Sequence, residues 1–271
     1  MVIDFHTHIF PDRIADAALN KLSDVIHLKP SMNGTIDGLR ASMEQSGVDL
    51  SVILPCITDP HQHDSIIRFA SFINENYSQI SGPRLISFAG IHPDADDYKE
   101  KLLSISHEGF KGIKIHPNYQ KRHFDDIRYM RILYAASELD LCVLTHAGYD
   151  PYTPEEDYCT PDMILRVIHD VAPTKLILAH MGSNEHYQDS EEKLCGQNVY
   201  FDTAYSILHM APEQLERMIH FHGTDRILFG SDAPWTHQKD CTERMASLKT
   251  LLPEEKEKIF CGNAAALLGL S

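Results

Sequence analysis

His6-Thr7-His8 closes an apolar run, Val2-Ile3-Asp4-Phe5, that begins one residue into the sequence. Residues two apart on a strand point to the same face, so the two imidazoles stand together at a strand tip. That is half of a transition-metal site. Imidazole suits zinc, iron, copper or nickel, and a catalytic zinc typically takes three protein ligands and leaves one position open. Two polar residues on a solvated strand face would have the same spacing, so the other strand ends must decide. Lys114, His116, His146, His180 and Asp232 each lie at the end of a short apolar, β-branched segment. Random scatter would not place so many metal-competent or ionisable side chains at strand termini.

Eight such segments can be marked, at 2–8, 50–56, 85–92, 110–116, 141–146, 175–180, 199–203 and 226–232. Each gap between starts leaves room for one helix and two loops, which is the pattern of βαβ units in a parallel sheet. Helical periodicity fills the gaps. Ile66, Ile67, Ala70, Ile73, Tyr77 and Ile80 form one apolar stripe, and Ile164, Val167, Ile168 and Val171 another. Thr160-Pro161 reads as an N-cap with proline at the first helical position, Ala211-Pro212 repeats the proline device, and Gly47 and Gly223 fall where helices end. No Gly/Ser-rich or charged linker interrupts the series. The expectation is one α/β domain over residues 1–271, a single (β/α)8 TIM barrel. An open doubly wound sheet would usually carry a phosphate loop after its first strand. Here His-x-His takes that place and no G-x-G-x-x-G follows. In a barrel, catalytic groups come from the C-terminal ends of several strands, and those are the ends that carry the residues above.

Composition narrows the partners. With 43% apolar residues in 271 the chain has ample core, and no apolar run approaches the ~18 residues of a membrane span. A formal charge of −15 disfavours nucleic acid, whose phosphates need a basic patch. Six cysteines without C-x-x-C spacing fit reduced thiols, and no basic leader precedes the first strand, so the expected location is the cytoplasm. The expected partner is a small-molecule substrate, neither nucleic acid nor membrane. A homo-oligomer is compatible with the sequence, which does not define one.

The chain resembles the amidohydrolase superfamily, specifically its single-domain amidohydrolase-related, metal-dependent hydrolase branch. The carrying residues are Asp4-Phe5-His6-Thr7-His8, Gly112-Ile113-Lys114-Ile115-His116-Pro117, Leu144-Thr145-His146-Ala147-Gly148, Leu178-Ala179-His180-Met181-Gly182, Leu228-Phe229-Gly230-Ser231-Asp232-Ala233-Pro234 and Gly262-Asn263-Ala264-Ala265. Larger members flank the barrel with a small β-sandwich. A first strand starting at residue 2 implies that this extra domain is absent.

The resemblance implies that His6, His8, His146 and Asp232 bind a divalent metal, most simply zinc, with one or two ions per chain. Such an ion lowers the pKa of bound water from 15.7 toward about 7. Asp232 would also move the proton from water to the leaving group. His180 is a ligand in the two-metal form and otherwise orients water or polarises the substrate, which makes it, with Asp232, the candidate catalytic pair. Lys114 decides the metal count: either a carbamate bridging two ions, or an ammonium kept for a core carboxylate such as Asp202 or for the substrate. The Gly-Ile-Lys-Ile-His-Pro motif favours the second, because one metal is common in that branch.

Lys114, His116, Tyr149 and Trp235 are the candidate substrate contacts. Asp4 shares the parity of His6 and His8 and is a candidate acceptor for a ligand N–H, or it sits lower in the barrel. The acidic loop from Gly148 to Thr160 is read as a lid and the segment from Phe10 to Pro30 as the opposite wall. Arg13 and Arg122 are the arginines placed to anchor a carboxylate, and His61 and His63 follow strand two near the barrel mouth. Most remaining histidines read as solvated. The leading function is hydrolysis of a small amide, cyclic amide or lactone; the alternative is non-oxidative decarboxylation of a small unsaturated or aromatic acid. A phosphoesterase of the other H-x-H barrel family would carry glutamate where Lys114 stands.

Overall fold

The computed structural model describes residues 1–270. In chain order its elements are β1 (Ile3–Thr7), α1 (Asp12–Ile26), α2 (Ile36–Ser46), β2 (Leu50–Ile53), α3 (His63–Tyr77), β3 (Arg84–Ser87), β4 (Ala89–Gly90), α4 (Tyr98–His107), β5 (Gly112–Ile115), α5 (Pro117–Gln120), α6 (Ile127–Glu138) and β6 (Cys142–Thr145). They continue with α7 (Pro161–Val171), β7 (Leu176–Leu178), α8 (Tyr187–Lys193), β8 (Tyr200–Asp202), α9 (Ser206–His209), α10 (Pro212–His222), β9 (Ile227–Leu228), α11 (Gln238–Ser247), α12 (Pro253–Glu257) and α13 (Asn263–Leu268). Every expected strand is present, and the third is divided at Phe88 into β3 and β4. Among the described residues no helix is long and apolar enough to cross a membrane.

Local signals set the helix ends. Thr160 accepts the Met163 amide at the start of α7, with Pro161 at the first position. Gly47 ends α2 at φ 68°, a left-handed conformation that glycine adopts without penalty. Gly223 ends α10. The segment from Phe10 to Pro30, expected as a wall of the site, is mostly the helix α1, with Ala15 and Leu19 buried.

The chain forms two compact units. The first comprises Met1–Ile53, Phe72–Ser87 and the chain from Asp202 onward. Within it β1, β2 and β3 are parallel, Ile3 opposite Leu50 and Leu50 opposite Arg84. On the other side of β1 lies the segment after β9: Phe5 N donates to Phe229 O at 2.8 Å, Asp232 N to His6 O at 2.9 Å and His8 N to Ala233 O at 2.7 Å. All five β1 residues are buried, as expected of a parallel strand covered on both faces. The last strand segment therefore runs beside the first and carries Asp232 to the His-x-His tip.

The second unit comprises Leu54–Ser71 and Phe88–Phe201. Here β4 through β8 pair in parallel and in sequence order, Gly90 opposite Lys114, Lys114 opposite Leu144 and Leu144 opposite Ile177. Gln120 braces three strand ends at once. Its amide donates to Ile57 O and Ile91 O at 2.7 and 2.8 Å, and its carbonyl accepts from His116 N and the Tyr129 hydroxyl at 3.1 and 2.7 Å. A buried amide satisfied on every side is rigid, so His116 starts from a fixed backbone.

Candidate metal centre and a second histidine cluster

In the first unit His6 Nε2 lies 3.2 Å from His8 Nε2 and 3.4 Å from Asp232 Oδ1, and His8 Nε2 is 3.2 Å from the same carboxylate oxygen. Ligand atoms around one tetrahedral ion with bonds of about 2.0–2.2 Å stand about 3.3–3.6 Å apart. Three electron-rich atoms at this spacing repel one another unless a cation or proton lies among them. The residues therefore fit a divalent metal. The tautomer fits as well. His6 Nδ1 hydrogen-bonds Asp202 Oδ2 at 2.7 Å, with both side chains buried, which keeps the proton on Nδ1 and the Nε2 lone pair toward His8 and Asp232.

The backbone around this group is built for close approach. A Cβ on Gly230 would meet the Cβ of His6 at 3.0 Å and that of Ala204 at 3.3 Å, so glycine lets the β9 segment run against the ligand strand. Asp232 itself has φ 72°, a left-handed conformation uncommon outside glycine. Its neighbours hold it there. Ser231 N and Oγ donate to Asp4 at 2.9 and 2.5 Å, Ala233 N donates to Ser231 Oγ at 3.0 Å, and Gln238 Nε2 donates to Asp4 at 2.8 Å.

These bonds decide between the two readings of Asp4: it braces Ser231 and Gln238, the reading that set it lower in the barrel, while Asp202 takes the His6 proton. Burial pushes the Asp4 carboxyl up to about 6, against the hydrogen bonds that favour its charged form.

The second unit gathers His116, His146, Asp150 and His180. The His116 and His146 rings stack at 4.3 Å and 6°, and His116 also stacks on Tyr119 at 3.7 Å. Asp150 Oδ2 lies 3.6 Å from His116 Nε2 and 3.7 Å from His146 Nε2. On the other edge of His146, Nδ1 is 3.1 Å from His180 Nε2. His180 stands just past β7 at φ 59° and Met181 at φ 52°, a turn that lifts the imidazole off the strand line. Donor atoms of His116, His146 and Asp150 also have metal-ligand spacing. Lys114 is fully enclosed within β5.

Other candidates are placed as follows. Tyr149 is half-buried, its backbone joined to Asn184 through Tyr149 N to Asn184 O at 3.1 Å and Asn184 Nδ2 to Tyr149 O at 3.0 Å. Trp235 is half-buried and donates its amide to Asp232 O at 2.8 Å. Of the two arginine anchors, Arg13 is exposed on α1, and Arg122 pairs Asp94 at 3.1 Å. His61 is exposed, and His63 opens α3. His222 is an exception to the expectation that most remaining histidines are solvated: it is buried on α10. Two carboxylates had been undervalued. Asp202 ends β8, the same position rule that found the histidines, whereas Asp150 lies in an irregular loop with no periodic signal.

The chain matches the amidohydrolase family model over residues 3–270. No curated protein matches it. It is similar to the crystal structure of 2,6-dihydroxybenzoate decarboxylase complexed with 2,6-dihydroxybenzoate, at 18% identity and TM-score 0.74, covering 99% of each chain. It is also similar to a dihydroxybenzoic acid decarboxylase from Polaromonas with bound manganese and the inhibitor 2-nitroresorcinol, at 18% identity and TM-score 0.73, covering 99% of this chain and 97% of that one. A TIM-barrel protein from Bordetella bronchiseptica matches at 17% identity and TM-score 0.74, covering 99% and 98%. The fold is thus the α/β TIM barrel expected from the strand series. The chain belongs to the amidohydrolase family and is an enzyme of that superfamily.

Proposed function

We propose that the protein is a divalent-metal-dependent, non-oxidative decarboxylase of a small aromatic or otherwise unsaturated carboxylic acid. The observation that carries this is the His6, His8 and Asp232 group, with His6 and Asp232 buried, His8 half-buried and the His6 tautomer set by Asp202, in a chain whose full length is similar to decarboxylases of dihydroxybenzoates. Hydrolysis, the leading expectation from the sequence, becomes the second reading. One observation still favours it: of the two arginines picked out to anchor a carboxylate, Arg122 already pairs Asp94 and Arg13 lies in solvent.

Decarboxylation needs a proton at the carbon that bears the carboxylate. The C–C bond then breaks, its electron pair returns to the conjugated system, and carbon dioxide leaves. We assign proton delivery to Asp232, whose strained backbone and braced neighbours fix its carboxylate. A divalent ion held by His6, His8 and Asp232 supplies Lewis-acid polarisation of the substrate oxygens when bound. By the family pattern His146 is a further ligand and His180 polarises the substrate or orients water. Lys114, His116, Tyr149 and Trp235 are the proposed substrate contacts. Zinc and manganese are the ions to try, the second because the Polaromonas relative holds it. We place the enzyme in the cytoplasm, because its six cysteines are scattered without C-x-x-C spacing, the usage expected of reduced thiols.

The test is turnover of a panel of hydroxybenzoates, and of amides and lactones, by protein loaded with zinc or manganese. Carbon dioxide release, with one deuterium taken up at the vacated carbon in heavy water, supports the reading. Cleavage of an amide or lactone with every acid left intact supports hydrolysis instead. Asp232→Asn is expected to lose turnover while keeping the fold; an active variant would remove Asp232 from proton delivery.

A further inference from the structure

In the second unit β4 runs into a short, heavily braced turn that carries a further histidine, His92. Gly90 lies opposite Lys114 in the β4–β5 register, so alternation carried two residues on puts His92 on the face of Lys114 and His116. Ala95 N donates to His92 O at 3.1 Å and closes the turn over Pro93 and Asp94. Three arginines and an amide hold it. Arg128 Nη1 and Arg122 Nη2 donate to the Asp94 carboxylate at 2.7 and 3.1 Å. Arg131 Nη2 donates to Pro93 O at 3.3 Å, and Gln120 Nε2 to Ile91 O at 2.8 Å.

The ring is fixed as firmly as its backbone. Asp94 N donates to His92 Nδ1 at 3.2 Å, so in the neutral imidazole the proton is on Nε2, at the far edge of the ring. Burial lowers the pKa of His92, against the pull of the Asp94 and Asp59 carboxylates, and the ring stays neutral at about pH 7. His92 is 6% exposed, and its Nε2 meets no hydrogen-bond acceptor among the described residues. A histidine that only filled the core would satisfy both nitrogens, because a buried donor without an acceptor is costly. A donor held ready by four side chains suits an acceptor that arrives from outside.

We propose that His92 is a further substrate-binding residue, whose Nε2–H donates a hydrogen bond to an oxygen of the bound substrate. In the reaction proposed above, on which this inference rests, the carboxylate is the oxygen group that every substrate shares. A neutral donor suits it. The carboxylate gives up its charge as carbon dioxide leaves, so a cationic side chain held against it would stabilise the starting acid more than the transition state. A single N–H orients the group with less of that penalty.

The test uses zinc-loaded, full-length protein and its His92→Phe and His92→Gln variants, with metal content measured for each. Phenylalanine keeps the bulk of the ring without the donor; glutamine keeps an N–H. His92→Phe is expected to weaken 2,6-dihydroxybenzoate binding, read by calorimetry, about 10–100-fold at unchanged metal content, the range for losing a bond to a charged acceptor. His92→Gln should recover part of the loss. Resorcinol, which lacks the carboxylate, should bind the wild type and His92→Phe alike; an equal loss for resorcinol assigns the contact to a ring hydroxyl and still supports a substrate oxygen. Equal affinity of the wild type and His92→Phe for both ligands overturns the proposal and leaves the decarboxylase reading standing. A wild type that binds neither but cleaves an amide or lactone, with KM raised in His92→Phe, keeps the contact and removes that reading; an unchanged KM removes both, as does a protein that takes none of these ligands. Long-range 1H–15N spectra at about pH 8, where unperturbed imidazoles are neutral, give a check that needs no ligand. The signal missing in His92→Gln should report a proton on Nε2, and a proton on Nδ1 overturns the proposal whatever the affinities.

Discussion

Asp202 accepts the Nδ1 proton of His6 at 2.7 Å with neither side chain in contact with solvent, and that single bond decides which imidazole nitrogen faces His8 and Asp232. Replacing Asp202 by Asn leaves the shape and offers a weaker acceptor. Metal affinity is expected to fall about 10–100-fold while the circular dichroism spectrum stays that of the wild type. Titration of metal into stripped protein would check this, and unchanged affinity would mean that Asp202 does not set the tautomer.

Gly230 tests the same centre through packing. Gly230→Ala places a methyl 3.0 Å from the Cβ of His6 and 3.3 Å from that of Ala204, both on strand-end backbone with little room to move. The expected cost is about 1–3 kcal/mol of stability from overpacking, with a disproportionate loss of metal binding because the crowded neighbour is a ligand. Denaturant unfolding and metal titration on one preparation separate the two effects. A variant that loses stability yet binds metal as tightly as the wild type would show that His6 tolerates the shift.

Much of this centre was legible in the sequence, for a physical reason. Side-chain alternation in strands is local, so His6, His8 and Asp232 could be placed at strand ends from spacing alone, and Thr160-Pro161 marked the start of α7 because caps are local too. The choice between Asp4 and Asp202 was not legible. Both lie on strands of suitable parity, and only the lateral neighbours show that Asp4 is taken by Ser231 and Gln238. Asp150 was legible only as one acid in an acidic loop, because its position depends on Gly148 pairing with Asn184, a contact between distant residues.

Charge at the start of α6 gives a pH test away from the centre. Asp126 accepts the Arg128 amide and pairs its guanidinium, bonds that hold its carboxyl down at about 2 from the usual 3.8. A depressed folded-state value means that the stabilisation is fully present above about 4 and is lost as pH falls through about 2. Asp126→Ala is therefore expected to cost about 1 kcal/mol at neutral pH, typical of a lost N-cap. The difference should shrink as acid is added. Urea unfolding of both proteins across that range measures it, and a gap that widens in acid would contradict the assignment.

The thiols provide a check on burial. Burial pushes Cys142, Cys195 and Cys241 up to about 12 and Cys159 higher still, so none forms thiolate at neutral pH, and thiolate is the reactive species. Only Cys56 and Cys261 are partly exposed. A thiol reagent is expected to label these two in the native protein, Cys261 slowed by the burial that raises its thiol. The other four should react only on unfolding. Rapid native labelling of Cys142 or Cys241 would show that the core around them opens.

The central claim is that His6, His8 and Asp232 hold a divalent metal, and metal content per chain tests it most directly. Wild-type protein reconstituted with zinc or manganese and then desalted is expected to retain metal by inductively coupled plasma mass spectrometry. His6→Ala and Asp232→Ala should lose it while remaining folded. A wild-type protein that holds no metal after reconstitution, or variants that hold as much as the wild type, would contradict the account.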